Sequence, residues 1–182
     1  MAGRAPLRAA AAGIIIAILA LVVLAADQFA KHLALTNLPY EQPVHVIGDF
    51  LIFYLIKNAG AAFSLGSGVT WVFTLALSAV AVAIVWLGIT RVRSRGWAIV
   101  LGLLLGGVLG NLTDRVLREP GFGVGHVVDF ISTPWMMPAI YNVADMFITT
   151  MMVCVALLVL FGVRLDGTRD RRKASASSGA ED

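Results

Sequence analysis

Three short stretches hold most of the side chains that could do chemistry: NLTDR at 111–115, GHVVDF at 125–130 and YNVADMFI at 141–148. Asp129 and Asp145 are the pair whose type and spacing suit catalysis best. Two carboxylates held close cannot both ionise, so one pKa rises and the pair shares a proton. The ionised member takes a proton from water as that water attacks an amide carbonyl. The protonated member polarises the carbonyl and later protonates the leaving nitrogen. The 16-residue separation lets two segments fold back on each other. Asp114 is a competing partner for either carboxylate, although its neighbour Arg115 favours permanent ionisation and a structural role. A third reading is that these charges only pin helix ends.

Other nucleophiles and metal chemistry find little support. Gly-x-Ser-x-Gly and His-Glu-x-x-His are absent, and Ser64 and Ser67 have no histidine at a recognisable spacing. Cys154 sits inside an apolar run and reads as a core thiol. A single cysteine excludes an intrachain disulfide, a thiolate zinc site and an iron–sulfur cluster held by this chain alone. His32, His45 and His126 lack metal-ligand spacing, so no metal or cofactor is expected.

The elements that must position these groups are membrane spans. The 182 residues are 59% hydrophobic and only 14% charged, with mean hydropathy +0.86. Soluble domains carry roughly 25% charged residues. The expected fold class is an all-α membrane protein: four transmembrane helices with a small extracytoplasmic β-sheet. Apolar runs place the spans at about 9–26, 69–90, 97–112 and 140–163, within one domain over 9–163. Residues 1–8 form a basic leader, and 164–182 a basic tail expected to be disordered. The first run is longer than the apolar region of a cleavable signal peptide, so an uncleaved span is expected.

Asp27 and Lys31 follow the first run at i, i+4 on a continuing helix. They are either an interfacial ion pair of little worth or a polar brace for the site. Val44 to Ile56 is rich in β-branched and aromatic residues, Gly48-Asp49 could turn the chain, and the stretch predicts one or two short strands, or a hairpin, within about 44–64. The small residues from Asn58 to Ser64 would let a substrate backbone approach closely, or merely connect. In the third run Gly102, Gly106 and Gly110 recur every four residues, a pattern for close helix packing. That face and the adjacent one, Gly107, Asn111 and Arg115, deliver Asn111, Asp114 and Arg115 to one end, where Asp114 and Arg115 would neutralise each other. Residues 116–139 read as a loop carrying Asp129. Asn142 and Asp145 fall in the first two turns of the fourth run, with Asp145 about 7–8 Å inside its start.

Charge sets the topology. Ten of the 14 lysines and arginines lie in the leader, the 91–96 loop and the tail. The positive-inside bias therefore puts both termini in the cytoplasm. Asp27, Lys31, Asn58, Asn111, Asp114, Arg115, Asp129, Asn142 and Asp145 then all face the extracytoplasmic side. The basic clusters flank apolar runs, so no nucleic-acid partner is expected. A small transporter or membrane assembly factor is the alternative class, because buried Asp and Arg also serve ion pathways. Polarity confined to one side argues against a conduit.

Five motifs in order resemble the lipoprotein signal peptidases (signal peptidase II), bacterial aspartic membrane proteases. They are Asp27-Gln28-x-x-Lys31, Asn58-x-Gly60-Ala61-Ala62-Phe63-Ser64, Gly110-Asn111-x-x-Asp114-Arg115, Val127-Val128-Asp129-Phe130 and Asn142-x-Ala144-Asp145. The resemblance covers roughly residues 10–163. It implies Asp129 and Asp145 as the catalytic dyad and Asp27, Lys31, Asn58, Asn111, Asp114, Arg115 and Asn142 as substrate-binding or supporting residues. It implies removal of the signal peptide from a prolipoprotein, just before a diacylglyceryl-bearing cysteine, in the bacterial cell membrane, by a monomer in contact with membrane lipids and without a metal. Tyr141 stands where the family commonly has Phe. The Gly-x-Gly-Asp signature of presenilin-like proteases is missing, since Gly123-Val124-Gly125 is followed by His126.

Overall fold

A computed structural model describes residues 7–60 and 69–169. Helix α1 (Ala9–Asn37) is followed by strands β1 (Pro43–Ile47) and β2 (Leu51–Asn58). Helices α2 (Thr70–Thr90) and α3 (Arg95–Leu117) come next, then strand β3 (Val127–Ser132) and helix α4 (Val143–Leu160). All four helices are long and apolar enough to cross a membrane. Their lipid-ward faces carry large apolar side chains such as Ile18, Leu21, Val82 and Leu160, all more than half exposed in the isolated chain.

Helix α3 is the hub, packed on α1, α2 and α4, and its glycines explain why. A Cβ on Gly106 would lie 2.5 Å from Val23 Cβ and 2.8 Å from the Ala20 carbonyl of α1. One on Gly107 would lie 2.7 Å from the Ala144 carbonyl of α4. The two glycine stripes therefore seat two different helices, and α3 is the most buried span. Ile16, Ala20, Ala98, Leu101, Leu105 and Val108 form the core between them.

The expected hairpin is present, turning at Gly48, whose φ of +49° suits glycine. Its strands join β3 in an antiparallel sheet of order β1-β2-β3. Strand β3 corrects the loop expected there. Gly- and Pro-rich flanks hid a VVDFIS run of good strand formers, which finds a free edge on β2 and pairs Ile56 with Asp129 and Asn58 with Val127. Alternation along β3 then decides which way its side chains point. Val128 and Phe130 pack with Leu55 and Ala34 against α1, so Val127 and Asp129 face the opposite way.

Three boundaries also differ from the apolar runs. Helix α1 continues to Asn37 and α3 to Leu117, because their polar residues are buried among themselves. Helix α4 starts at Val143, because Tyr141 is drawn into an extended bridge with Ile131. Asn142 is thus the N-cap rather than a helical residue, and Asp145 sits in the first turn. The start of the tail is ordered: Val163 bridges Arg169, and the Leu165 carbonyl accepts from Arg93 and Ser94 N–H. The expected close approach by Ala61 to Ser64, the first six residues and the tail beyond Arg169 lie outside the described residues.

Candidate active site

Asp27 and Lys31 share a face of α1 at i, i+4, and both are fully buried. This is the brace, not a surface pair. The Lys31 ammonium lies 2.8 Å from Asp27 Oδ2, 2.8 Å from Asp114 Oδ2, and donates to Asn111 Oδ1 at 3.0 Å. Each carboxylate also accepts from a distant backbone. Asp27 Oδ1 accepts the Ala144 N–H at 2.9 Å, and Asp114 Oδ2 accepts the Val128 N–H at 3.1 Å. The first clamp fixes the start of α4 and the second fixes β3. These are the two segments that carry Asp145 and Asp129.

Asp114 and Arg115 do not form the expected ion pair, although the Asp114 charge still favours the Arg115 cation. Successive residues on a helix point about 100° apart, so the two serve different walls. Asp114 is matched by Lys31 and by Arg118, one turn on, at 2.7 Å. Arg115 is turned toward the β2 end, where its guanidinium donates to the carbonyls of Ala59, Gly60 and Gly125 and stacks 5.5 Å over Phe73. Gln28, beside Asp27 on α1, joins the same frame. Its amide donates to the Gly110 carbonyl and to Asp114 Oδ1. Gln28 and Arg118 were legible only as a polar residue beside Asp27 and as an i, i+4 partner for Asp114.

Three asparagines join this frame to the carboxylate pair. Asn142 accepts the Asp145 N–H at 3.0 Å, while Asp145 Oδ2 accepts the Asn142 N–H at 3.2 Å, a reciprocal capping box. The Asn142 Nδ2 donates to Asp129 Oδ1 at 2.6 Å and to Asn111 Oδ1 at 3.1 Å. Asn111 Nδ2 donates to Asp145 Oδ1 at 2.7 Å, and Asn58 Nδ2 to Asp129 Oδ2 at 2.9 Å. One side chain, Asn142, is thereby bonded to both aspartate residues. Asp114 faces away from them, among cations.

Burial, and then the Asp145 charge, push the Asp129 carboxyl up to about 7. The Asn58 and Asn142 donors and Lys31 act in the opposite sense without cancelling this. The pair lines a cavity of about 400 Å³ with Asn58, Arg115, Phe73 and Tyr141 on its walls. Asp129 is buried and Asp145 half-buried, so the dyad forms the polar floor of a mostly apolar pocket. The structure therefore brings together every expected site residue, in two tiers: Asn58, Asn111 and Arg115 with the two aspartates at the pocket, and Asp27, Lys31, Asp114 and Asn142 buried behind it.

Fold and site together define a polytopic membrane protein with two linked aspartates in a pocket at one end of the bundle. Residues 19–161 match the family model for signal peptidase (SPase) II. The chain is 49% identical over 167 residues to the lipoprotein signal peptidase of Leifsonia xyli subsp. xyli, covering 92% of this chain and 76% of that one. It is 45% identical over 158 residues to that of Mycobacterium avium, covering 87% and 85%. Two solved structures of a bacterial membrane enzyme, obtained by the in meso method, superpose with TM-scores of 0.71 and 0.70 at 28% and 27% identity. They align with 86% and 87% of this chain and with 91% and 98% of their own. The chain belongs to the signal peptidase II family.

Proposed function

We infer that this protein is a membrane endopeptidase that removes signal peptides from prolipoproteins, with Asp129 and Asp145 as its catalytic pair. The carrying observation is the buried Asn142 side chain, which bonds to Asp129 and caps the helix of Asp145, the two aspartates lining one pocket. Asp129, raised to about 7, keeps the shared proton. Asp145 accepts hydrogen bonds from the Asn111 amide and the Asn142 N–H and acts as the base. As Asp145 takes a proton from water, the water oxygen bonds to the scissile carbonyl carbon and Asp129 gives its proton to the carbonyl oxygen. Collapse of the resulting diol breaks the C–N bond. One proton goes to the leaving nitrogen and one returns to the pair.

The proposed scissile bond lies just before a diacylglyceryl cysteine, whose lipid and signal helix both approach through the bilayer. The pocket suits that approach, since its wall includes Phe73 and Leu77 of α2 and Thr149 of α4. The charge bias orients this end outward with both termini inside, and one domain spanning 9–163 acts as a monomer. Asp129→Asn and Asp145→Asn should each abolish release of the signal peptide from a lipidated precursor in detergent while the protein still folds. Wild-type protein should refuse the unlipidated precursor. Normal processing by either variant would refute the dyad.

A further inference from the structure

The bundle has a second cavity, of about 790 Å³, at the end opposite the aspartates. Trp97 on its wall and Asn111 at the dyad lie on the same helix, about 21 Å apart at 1.5 Å per residue. The cavity is a slot between α2 and α4 with α3 as its floor. Leu101, Leu104, Val155 and Val159 give it an apolar interior. Its rim is basic: Arg91, Arg93 and Arg164 stand against one acid, Asp166. Asp166 Oδ1 accepts from the Thr168 N–H and hydroxyl, and against its one negative charge the three arginines leave the rim net positive. Arg91 leans over Trp86, 6.0 Å from the ring. Arg93 donates to the Val92 and Thr90 carbonyls at the end of α2, and its N–H to Leu165 joins the two sides of the rim.

We propose that this slot binds an anionic diacyl phospholipid, with the phosphate on Arg91, Arg93 and Arg164 and an acyl chain along Leu101, Leu104, Val155 and Val159. An apolar cleft capped by arginines matches an acyl chain ending in a phosphate, because guanidinium recognises phosphate with paired donors. In the charge-assigned orientation, on which the choice of leaflet rests, the rim meets the cytoplasmic leaflet, where basic pockets between spans hold anionic headgroups. The other candidate, the inner end of a bound signal helix, carries a basic leader of its own. It would meet like charge here.

Detergent-solubilised full-length protein is titrated with dioleoyl phosphatidylglycerol or dioleoyl phosphatidylcholine and read by native mass spectrometry. Phosphatidylglycerol should bind more tightly. Each surface arginine contributes about fivefold, so R91Q/R164Q should weaken phosphatidylglycerol about 25-fold and phosphatidylcholine, whose choline offsets its phosphate charge, much less. Equal affinity for the two lipids, or an undiminished preference in the variant, overturns the proposal. So does displacement of the lipid by inorganic phosphate at equal concentration, which would make this a bare anion site. A photoreactive phosphatidylglycerol on wild-type protein keeps the test independent of the variant's folding. Labels on Leu101, Leu104, Val155 or Val159 support the site, and labels only elsewhere refute it. Capture of those positions by a photoreactive signal peptide despite saturating lipid would also refute it. None of these readouts needs catalysis, so a failure here leaves the dyad reading standing.

Discussion

Asn142 carries two jobs that two substitutions can separate. Asn142→Ser keeps an oxygen to accept the Asp145 N–H and cap α4, but removes the Nδ2 donor from Asp129 and Asn111. Asn142→Ala removes cap and donor together. Asn and Ser are nearly equal caps, and Ala in their place costs about 1 kcal/mol. In a chain of this size that is about 2–4 °C in Tm. The Nδ2–Asp129 bond, at 2.6 Å, is the shortest of the asparagine contacts. With Asp129 protonated the bond joins neutral groups and is worth about 1 kcal/mol. Losing it in aligning the pair slows kcat about fivefold. Both variants should therefore show the same drop in kcat, with Ala melting a few degrees below Ser. Because the Asn142 donor lowers the Asp129 pKa, both should also move the alkaline limb of kcat/KM above the wild-type position, about 7. The assay is signal-peptide release from a diacylglyceryl precursor across pH, beside thermal unfolding of the same samples. A Ser variant with wild-type kcat and an unshifted pH limb would reduce Asn142 to a cap and break the proposed link between the aspartates.

Three further outcomes follow from the same contacts. The Asp129 pKa is raised from 3.8 to about 7, so the native state holds a proton that the unfolded chain releases. The stability that Asp129 itself contributes should be full below pH 4 and fall as pH rises toward 7, by at most about 4 kcal/mol; a difference in Tm between wild type and Asp129→Asn that does not change across this window would contradict that. Lys31→Met leaves Asp27 and Asp114 facing each other without the buried cation, which should cost about 3–5 kcal/mol; wild-type urea resistance in that variant would show the triad to be dispensable. Gly106→Ala forces a Cβ to 2.5 Å from Val23 and should lower both Tm and yield, whereas Gly13→Ala, with nothing within 4 Å, should leave both unchanged; equal behaviour of the two would remove the packing argument for the stripe.

The spans were legible because each apolar run is long and nearly uncharged. The glycine stripe was legible because spacing by four is a property of one helix. Spacing carried α1 on to Lys31 and α3 on to Arg115, but their ends at Asn37 and Leu117 were not legible, since hydropathy ends at the first charge whether or not that charge is buried. Strand β3 was hidden because a short strand buried by partners from two other segments carries no period of its own and depends on the free edge of β2. The site residues themselves were readable, because polar side chains are conspicuous in such a chain. Their pairing was not. Sequence adjacency suggested Asp114 with Arg115, whereas helical geometry sends them to different walls and gives Asp114 to Lys31, 83 positions earlier.

That exchange of partners explains why a membrane protein keeps three charges at 0% exposure. A buried triad is a poor source of stability, since desolvation offsets most of its Coulomb attraction. Its use is positional. Lys31 fixes one oxygen on each of two carboxylates, and each carboxylate still accepts a backbone N–H: Ala144 at the start of α4 and Val128 beside Asp129. Helices α1 and α3 are already locked by the glycine stripe, so the triad transfers their rigidity to a strand and a helix start that would otherwise be free to shift. Apolar side chains would bury as well, but they would not hold two backbone amides in register. Asn111 closes the arrangement, accepting from Lys31 and donating to Asp145. The buried charge in the frame thus ends one hydrogen bond away from the carboxylates proposed to cut the peptide.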